Sequence, residues 1–345
     1  VIFDREYAAM PRAHYRFDRY ETPQGEQMWG MVGVDFSKKE VSFSPIDLQD
    51  KNWLWNASYA VLNDHEFAVA LSFEEEKENA LYTLYTRIYK YNINTGEYTF
   101  LFENQANGNI PDGSILSTII DIMPYDGKLA LLYCHQRRST GSFGEVAFSP
   151  DSYELRIYEE GAPVQSIPLP QLLENMQGEE IQYSRCAGKT FFFESAAGRI
   201  CACKVEEDGV RTLDLGLLAD GDHKRYYDYT SQERTYSTVV LTTRYGQEPY
   251  DREQSPYMYL QCRDKLYLYD ESNEKMYHIQ WLEDTRNADA LVCEFRSRDS
   301  DGNFFFVTSY IDYDSNKGVE YAYHYVTEDQ ILHYMSECSF ENSVA

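Results

Sequence analysis

Arg87-Ile88-Tyr89-Lys90-Tyr91-Asn92-Ile93-Asn94-Thr95-Gly96-Glu97-Tyr98-Thr99-Phe100-Leu101-Phe102-Glu103 reads as two extended segments joined by a tight turn. Side chains alternate along a strand, so Tyr89, Tyr91 and Ile93 share one face of the first segment, and Tyr98, Phe100 and Phe102 share one face of the second. Gly96 supplies the positive φ that the connection needs, and the flanking aromatic and β-branched residues suit a half-buried pleated surface. The stretch therefore predicts a β-hairpin turning at Asn94-Thr95-Gly96.

The same shape recurs five times. Residues 31–36 turn at 37–39 into 41–43, 153–158 turn at 159–161 into 164–167, and 200–205 turn at 206–209 into 210–213. Further on, 265–269 turn at 270–273 into 276–279, and 321–325 turn at 327–329 into 331–334. The turns are spaced by roughly 50 to 65 residues, enough for four strands of ordinary length with their connections. Two more strands are visible in most intervals: 58–62 leads to 67–71, 115–122 to 129–133, 181–186 to 191–193, and 291–295 to 304–307. Apolar runs such as Phe67-Ala68-Val69-Ala70-Leu71 and Phe191-Phe192-Phe193 suit strands covered on both faces. One short helix is expected over 170–176 and no other.

These intervals predict an all-β chain folded as a single β-propeller of six four-stranded blades, at about 1–50, 51–108, 109–172, 173–217, 218–283 and 284–345. Residues near the N-terminus would pair with the last blade to close the ring. A seven-blade count stays open, because 237–242 and 257–261 are both strand-like.

Ile88-Tyr89-Lys90-Tyr91-Asn92-Ile93-Asn94-Thr95-Gly96 resembles the third-strand turn of the broad propeller group that includes YWTD, NHL and Tol-associated repeats. That resemblance implies the propeller fold, a habit of binding partners and an exported bacterial setting; it implies no particular activity. The Trp-Asp signature of WD repeats and a clean YWTD box are both absent.

Acidic residues number 57 against 31 Lys and Arg, a net charge of −26 spread along the 345 residues. A surface this negative repels phosphate backbones and anionic headgroups, which argues against nucleic acid and membrane-surface partners. No run approaches the eighteen or so apolar residues of a membrane span. The chain begins at Val, which reads as a trimmed precursor: the expected location is extracellular or cell-envelope, with a lipid anchor on an upstream leader as one form of it and the cytoplasm as the alternative. The seven Cys lack metal-type spacing and mostly lie in apolar strands, so they are expected to be buried thiols acting as small hydrophobes.

Two groups of residues are candidates for function. The stretch from Asp222 to Tyr257 is crowded with Tyr and Arg outside clear strands; Arg225, Tyr226, Tyr227, Tyr229, Arg244 and Tyr245 are its candidate ligand contacts, with Trp53 and Trp55 on the connection between the first two intervals. Flat rings beside hydrogen-bonding groups suit a sugar or a peptide, and loops on a rigid frame are where ligands dock. The alternative is that these rings pack loops onto blades. The second group is Asp312, Asp314, Asn316 and Glu320, oxygen ligands around a Gly-containing loop of the kind Ca²⁺ uses, although the spacing is not that of an EF-hand and an ordinary polar loop has the same composition. No other cofactor is expected.

Gly-x-Ser-x-Gly, His-Glu-x-x-His, Walker-type and dinucleotide-binding patterns are all missing. The expected function is accordingly non-catalytic: a monomeric protein recognising a glycan, peptide or protein partner at one loop face. The alternatives are an interaction scaffold without a small ligand, or a carbohydrate-active enzyme (hydrolase or lyase) with a pair of facing carboxylates.

Overall fold

The computed structural model describes residues 8–9, 14–21, 24–25, 27–35, 38, 40–48, 53–63, 65–77, 81–142, 144–187, 190–195, 199–206, 209–217, 226–227, 233–234, 239–242, 257–262, 265–270, 272–279, 290–298, 304–311, 319–333 and 335–337. Most of them pair into antiparallel sheets whose strands follow one another in chain order. The first sheet is β1 (Ala8–Ala9), β2 (His14–Glu21), β3 (Gln27–Asp35) and β4 (Glu40–Pro45). The second is β5 (Trp53–Val61), β6 (Glu66–Lys77), β7 (Leu81–Asn92) and β8 (Glu97–Asn107), and the third is β9 (Ile115–Tyr125), β10 (Lys128–Thr140), β11 (Val146–Glu159) and β12 (Ala162–Pro168). After α1 (Leu172–Asn175), the helix expected over 170–176, come β13 (Ile181–Ala187), β14 (Thr190–Ser195), β15 (Arg199–Glu206) and β16 (Gly209–Leu217) as the fourth sheet.

A short ribbon of β17 (Tyr226–Tyr227) and β18 (Glu233–Arg234) precedes the fifth sheet, formed by β19 (Val239–Thr242), β20 (Tyr257–Cys262), β21 (Lys265–Asp270) and β22 (Lys275–Ile279). The two strand-like stretches that left a seven-blade count open are therefore β19 and β20 of one sheet. β23 (Ala290–Arg298), β24 (Phe304–Ile311) and β25 (Val319–Val326) form a three-stranded sixth sheet, followed by α2 (Glu328–Leu332) and β26 (Met335–Glu337). The fold is all-β, and its repeating unit is the four-stranded antiparallel meander of a propeller blade.

Packing divides the chain into two compact units: one holds residues 1–180, 188–191 and 203–212, the other 181–187, 192–202 and 213–345. In the first unit the second sheet is covered on both faces, as its apolar run requires. Phe67, Val69, Leu71 and Phe73 of β6 pack with Phe17 and Met31 of the first sheet, whereas Ala68 and Ala70 pack with Leu129, Leu131 and Tyr133 of the third. The leading strand β5 lies against β2 of the first sheet and β9 of the third. In the second unit, β13 lies against β19, and Phe192 meets Tyr269 edge to face with centroids 5.3 Å apart. Cys134, Cys186, Cys201 and Cys203 are buried as thiols. Burial pushes Cys134 up to about 11 and Cys203 up to about 12, as small apolar residues in strands should behave.

The quoted hairpin closes as expected. Asn92 Oδ1 accepts from the backbone N–H groups of Asn94 (2.9 Å) and Thr95 (3.3 Å), and Gly96, at φ 74°, donates its N–H to the Asn92 carbonyl at 2.8 Å. Asp270 builds the same turn at the end of β21. Its Oδ1 accepts from Ser272 N–H at 2.9 Å, and Glu274 N–H donates to its carbonyl at 2.8 Å.

The sixth repeat departs from the expectation. Residues 331–333 do not return as a strand: Thr327 Oγ1 accepts from Gln330 N–H (3.3 Å) while Gln330 Oε1 accepts from Thr327 N–H (2.9 Å), a reciprocal cap that starts α2. The chain then continues into β26, which pairs with β22 and makes the fifth sheet five-stranded. At the other terminus, β1 pairs with β2 of its own sheet (Ala8 opposite Tyr15, Ala9 opposite His14). Among the described residues no helix is long and apolar enough to cross a membrane.

Candidate functional site

Along β10, strand alternation sends Leu129, Leu131, Tyr133 and His135 to one face of the third sheet. The first three join the apolar contact with the second sheet, and His135 carries that face into polar surroundings. Pairing brings cross-strand neighbours beside it: His135 stands opposite Ser117 of β9, Tyr133 opposite Glu154 of β11, and Leu131 opposite Arg156, which itself stands opposite Ser166 of β12. A bulge between His135 and Gln136 shifts the β10–β11 register at this level, a common device for re-aiming side chains.

The outcome is a continuous polar row across all four strands. Ser117 Oγ lies 2.8 Å from His135 Nδ1, and His135 Nε2 lies 3.0 Å from Glu154 Oε2. Arg156 donates to the same carboxylate oxygen from Nε (3.0 Å) and Nη2 (2.8 Å), and Ser166 Oγ donates to Glu154 Oε1. Arg156 lies over the Tyr133 ring, its guanidinium carbon 4.2 Å from the centroid. The Tyr133 and Tyr158 hydroxyls are 3.1 Å apart, and Tyr158 stacks on Phe102 of the second sheet with centroids 4.6 Å apart. The row is partly open to solvent: the side chains of His135, Glu154 and Arg156 are 18%, 14% and 34% exposed.

Partial burial raises the Glu154 carboxyl, but hydrogen bonds from Arg156 and Ser166, the Arg156 charge and the bond to His135 outweigh it and hold the group at about 2. Glu154 is therefore a carboxylate at neutral pH and can only accept. It follows that His135 Nε2 carries a proton for Glu154, and in the neutral ring Nδ1 is left as an acceptor for the Ser117 hydroxyl. Hydroxyl, imidazole and carboxylate are thus linked in that order, with aromatic rings alongside.

Sequence patterns did not single out this row, since its members are separated by up to 49 positions and only strand register unites them. The available signal was the alternation of Tyr133 with His135 and of Glu154 with Arg156, which places each pair on one face of its strand.

Of the residues singled out from sequence, Trp53 and Trp55 lie in the chain of β5 and not on a connection. Trp53 pairs with Glu74, and Trp55 occupies the bulge between the pairs Leu54–Phe73 and Asn56–Ser72. Tyr226 and Tyr227 form β17, opposite Arg234 and Glu233. Glu320 lies in β25 opposite Tyr310. Arg225, Tyr229, Arg244, Tyr245, Asp312, Asp314 and Asn316 lie outside the described residues. Among the described residues no group of three or more His, Cys, Asp and Glu is placed to hold a metal ion.

No protein-family model and no curated protein sequence matches the chain. Solved structures similar to it include YjhT, at 6% identity and a TM-score of 0.42 over 92% of this chain and 98% of that one. A mutant of the α-L-arabinofuranosidase Arb93A from Fusarium graminearum, in complex with an iminosugar inhibitor, is similar at 10% identity and a TM-score of 0.45, covering 95% of this chain and 98% of that one. An oligogalacturonate lyase from Vibrio parahaemolyticus is similar at 9% identity and a TM-score of 0.43, covering 91% of this chain and 78% of that one.

Proposed function

We propose that this chain is a propeller-type recognition protein that binds a glycan, peptide or protein partner, with the polar row of the third sheet as part of its contact surface. The observation that carries this reading is the order of the row before any ligand arrives. Glu154 is fixed by Arg156, Ser166 and His135, and Arg156 lies over the Tyr133 ring. A surface that is already ordered loses little conformational entropy on binding, and rings beside fixed hydrogen-bonding groups match the alternating apolar and polar character of a sugar or a peptide. A net charge of −26 supports an uncharged or cationic partner over a polyanion.

The test is a glycan and peptide array probed with the wild type and with Arg156→Ala. Retention of one class of probe by the wild type, weakened at least tenfold in the variant, is the expected result. Identical profiles for the two proteins would remove the third sheet from the contact surface. The Tyr and Arg residues between Asp222 and Tyr257 remain part of the proposal, and Tyr226→Ala together with Tyr227→Ala on the same array tests them separately.

A further inference from the structure

We propose that Ser117 is a base-activated nucleophile, with His135 as its general base and Glu154 as the residue that positions the imidazole. Three observations support this. The Ser117 hydroxyl is 2.8 Å from a ring nitrogen, within the range for proton transfer. The opposite ring nitrogen is 3.0 Å from a carboxylate that Arg156 and Ser166 hold ionised and fixed, so the tautomer that leaves Nδ1 free to accept is the one selected. Finally, Ser117 and His135 are half-buried next to an exposed pair toward the start of β9: Ile115, 41% exposed, stands opposite Arg137, whose guanidinium is held by Asp151 and the Gly113 carbonyl.

The chemistry is acyl transfer from a small carboxylic ester. Ser117 Oγ attacks the carbonyl carbon while its proton passes to His135 Nδ1, and the imidazolium so formed is stabilised by the Glu154 carboxylate. Collapse of the tetrahedral adduct breaks the ester C–O bond. The leaving alkoxide takes the proton from His135 and departs as the alcohol, leaving acyl-Ser117. Water then attacks the acyl group, His135 takes its proton and returns it to Ser117 Oγ, and the carboxylic acid is released.

The experiment uses the intact chain and a fluorophosphonate probe, which reacts with base-activated serines by forming an Oγ–P bond and expelling fluoride. Mass spectrometry of the digested protein is expected to place the adduct on Ser117, and its formation is expected to fall at least 100-fold in His135→Gln and in Glu154→Gln. In the latter the amide oxygen still accepts from Arg156 and His135, but the negative charge that stabilises the imidazolium is gone. Circular dichroism and thermal melts on both variants show whether each is folded. Absence of an adduct on the wild-type chain overturns the proposal, because a purely structural hydrogen-bonded row would leave Ser117 inert. An adduct on another residue, or labelling of folded Glu154→Gln at the wild-type rate, overturns it equally. The outcome is independent of the array experiment, which reads binding alone.

Discussion

Tyr98 connects two sheets through one hydroxyl. It accepts from the Met31 N–H at 2.7 Å and donates to the Ser44 carbonyl at 2.9 Å, and Tyr91, beside it, reaches Ser44 Oγ at 2.8 Å. Burial raises the Tyr98 phenol well above its ordinary range, opposed in part by the Met31 N–H, so it stays a donor at every pH the protein meets. Tyr98→Phe deletes both bonds and strands two part-buried backbone groups. The expected loss is about 1–3 kcal/mol in urea denaturation, against less than about 0.5 kcal/mol for Tyr20→Phe at an exposed position. Glu154 gives the chain a pH dependence of known sign. Its folded pKa, about 2, lies below the ordinary carboxyl value of 4.5, so its contribution is present in full above that value and is lost as pH falls toward 2. Acid titration followed by circular dichroism should show wild type losing stability through this window more steeply than Glu154→Gln. The quoted hairpin was legible because its face pattern and its turn residues agree. Ser117, His135 and Glu154 were not, because a hydrogen bond between strands leaves no spacing in the chain.

Turns show why the repeat is loose in sequence and firm in space. Asn92 and Asp270 close the same backbone turn, yet the residue at positive φ is Gly96 in one and Glu274, at φ 59°, in the other. A side chain in this region costs about 1 kcal/mol or more. Glu274→Gly should therefore stabilise the chain by about 0.5–1 kcal/mol, read as a higher urea midpoint at unchanged slope, and Gly96→Ala should do the reverse. In the first four sheets apolar alternation and turn residues point the same way, and each is a four-stranded antiparallel unit. The error at α2 has a local cause. Ile331 and Leu332 are apolar enough for a strand, and the cap formed by Thr327 and Gln330 decides for helix. Edge strands also carry protection. Pro45 ends β4, Pro163 and Pro168 are the second and last residues of β12, and β8 has a bulge at Leu101, against which the Gly161 turn rests.

Charge acts on the chain as a whole. With −26 distributed along it, self-repulsion opposes the compact state, and salt relieves it by shortening the screening length from about 30 Å at 10 mM to about 8 Å at 150 mM. The melting temperature should rise by about 2–4 °C over that range, the size of shift that about 1 kcal/mol produces in a chain of this class. Composition made this property legible, whereas the composition of each sheet was not. β26 supplies the instance with the widest consequence. Met335, Ser336 and Glu337 complete the outer border of a sheet whose other strands end at Ile279, with all of residues 280–334 between. A growing chain emerging from the ribosome must therefore hold that border unsealed until Met335, Ser336 and Glu337 appear. A messenger truncated just short of Met335 would release a product with a bare row of amides along β22, prone to stick to its own copies.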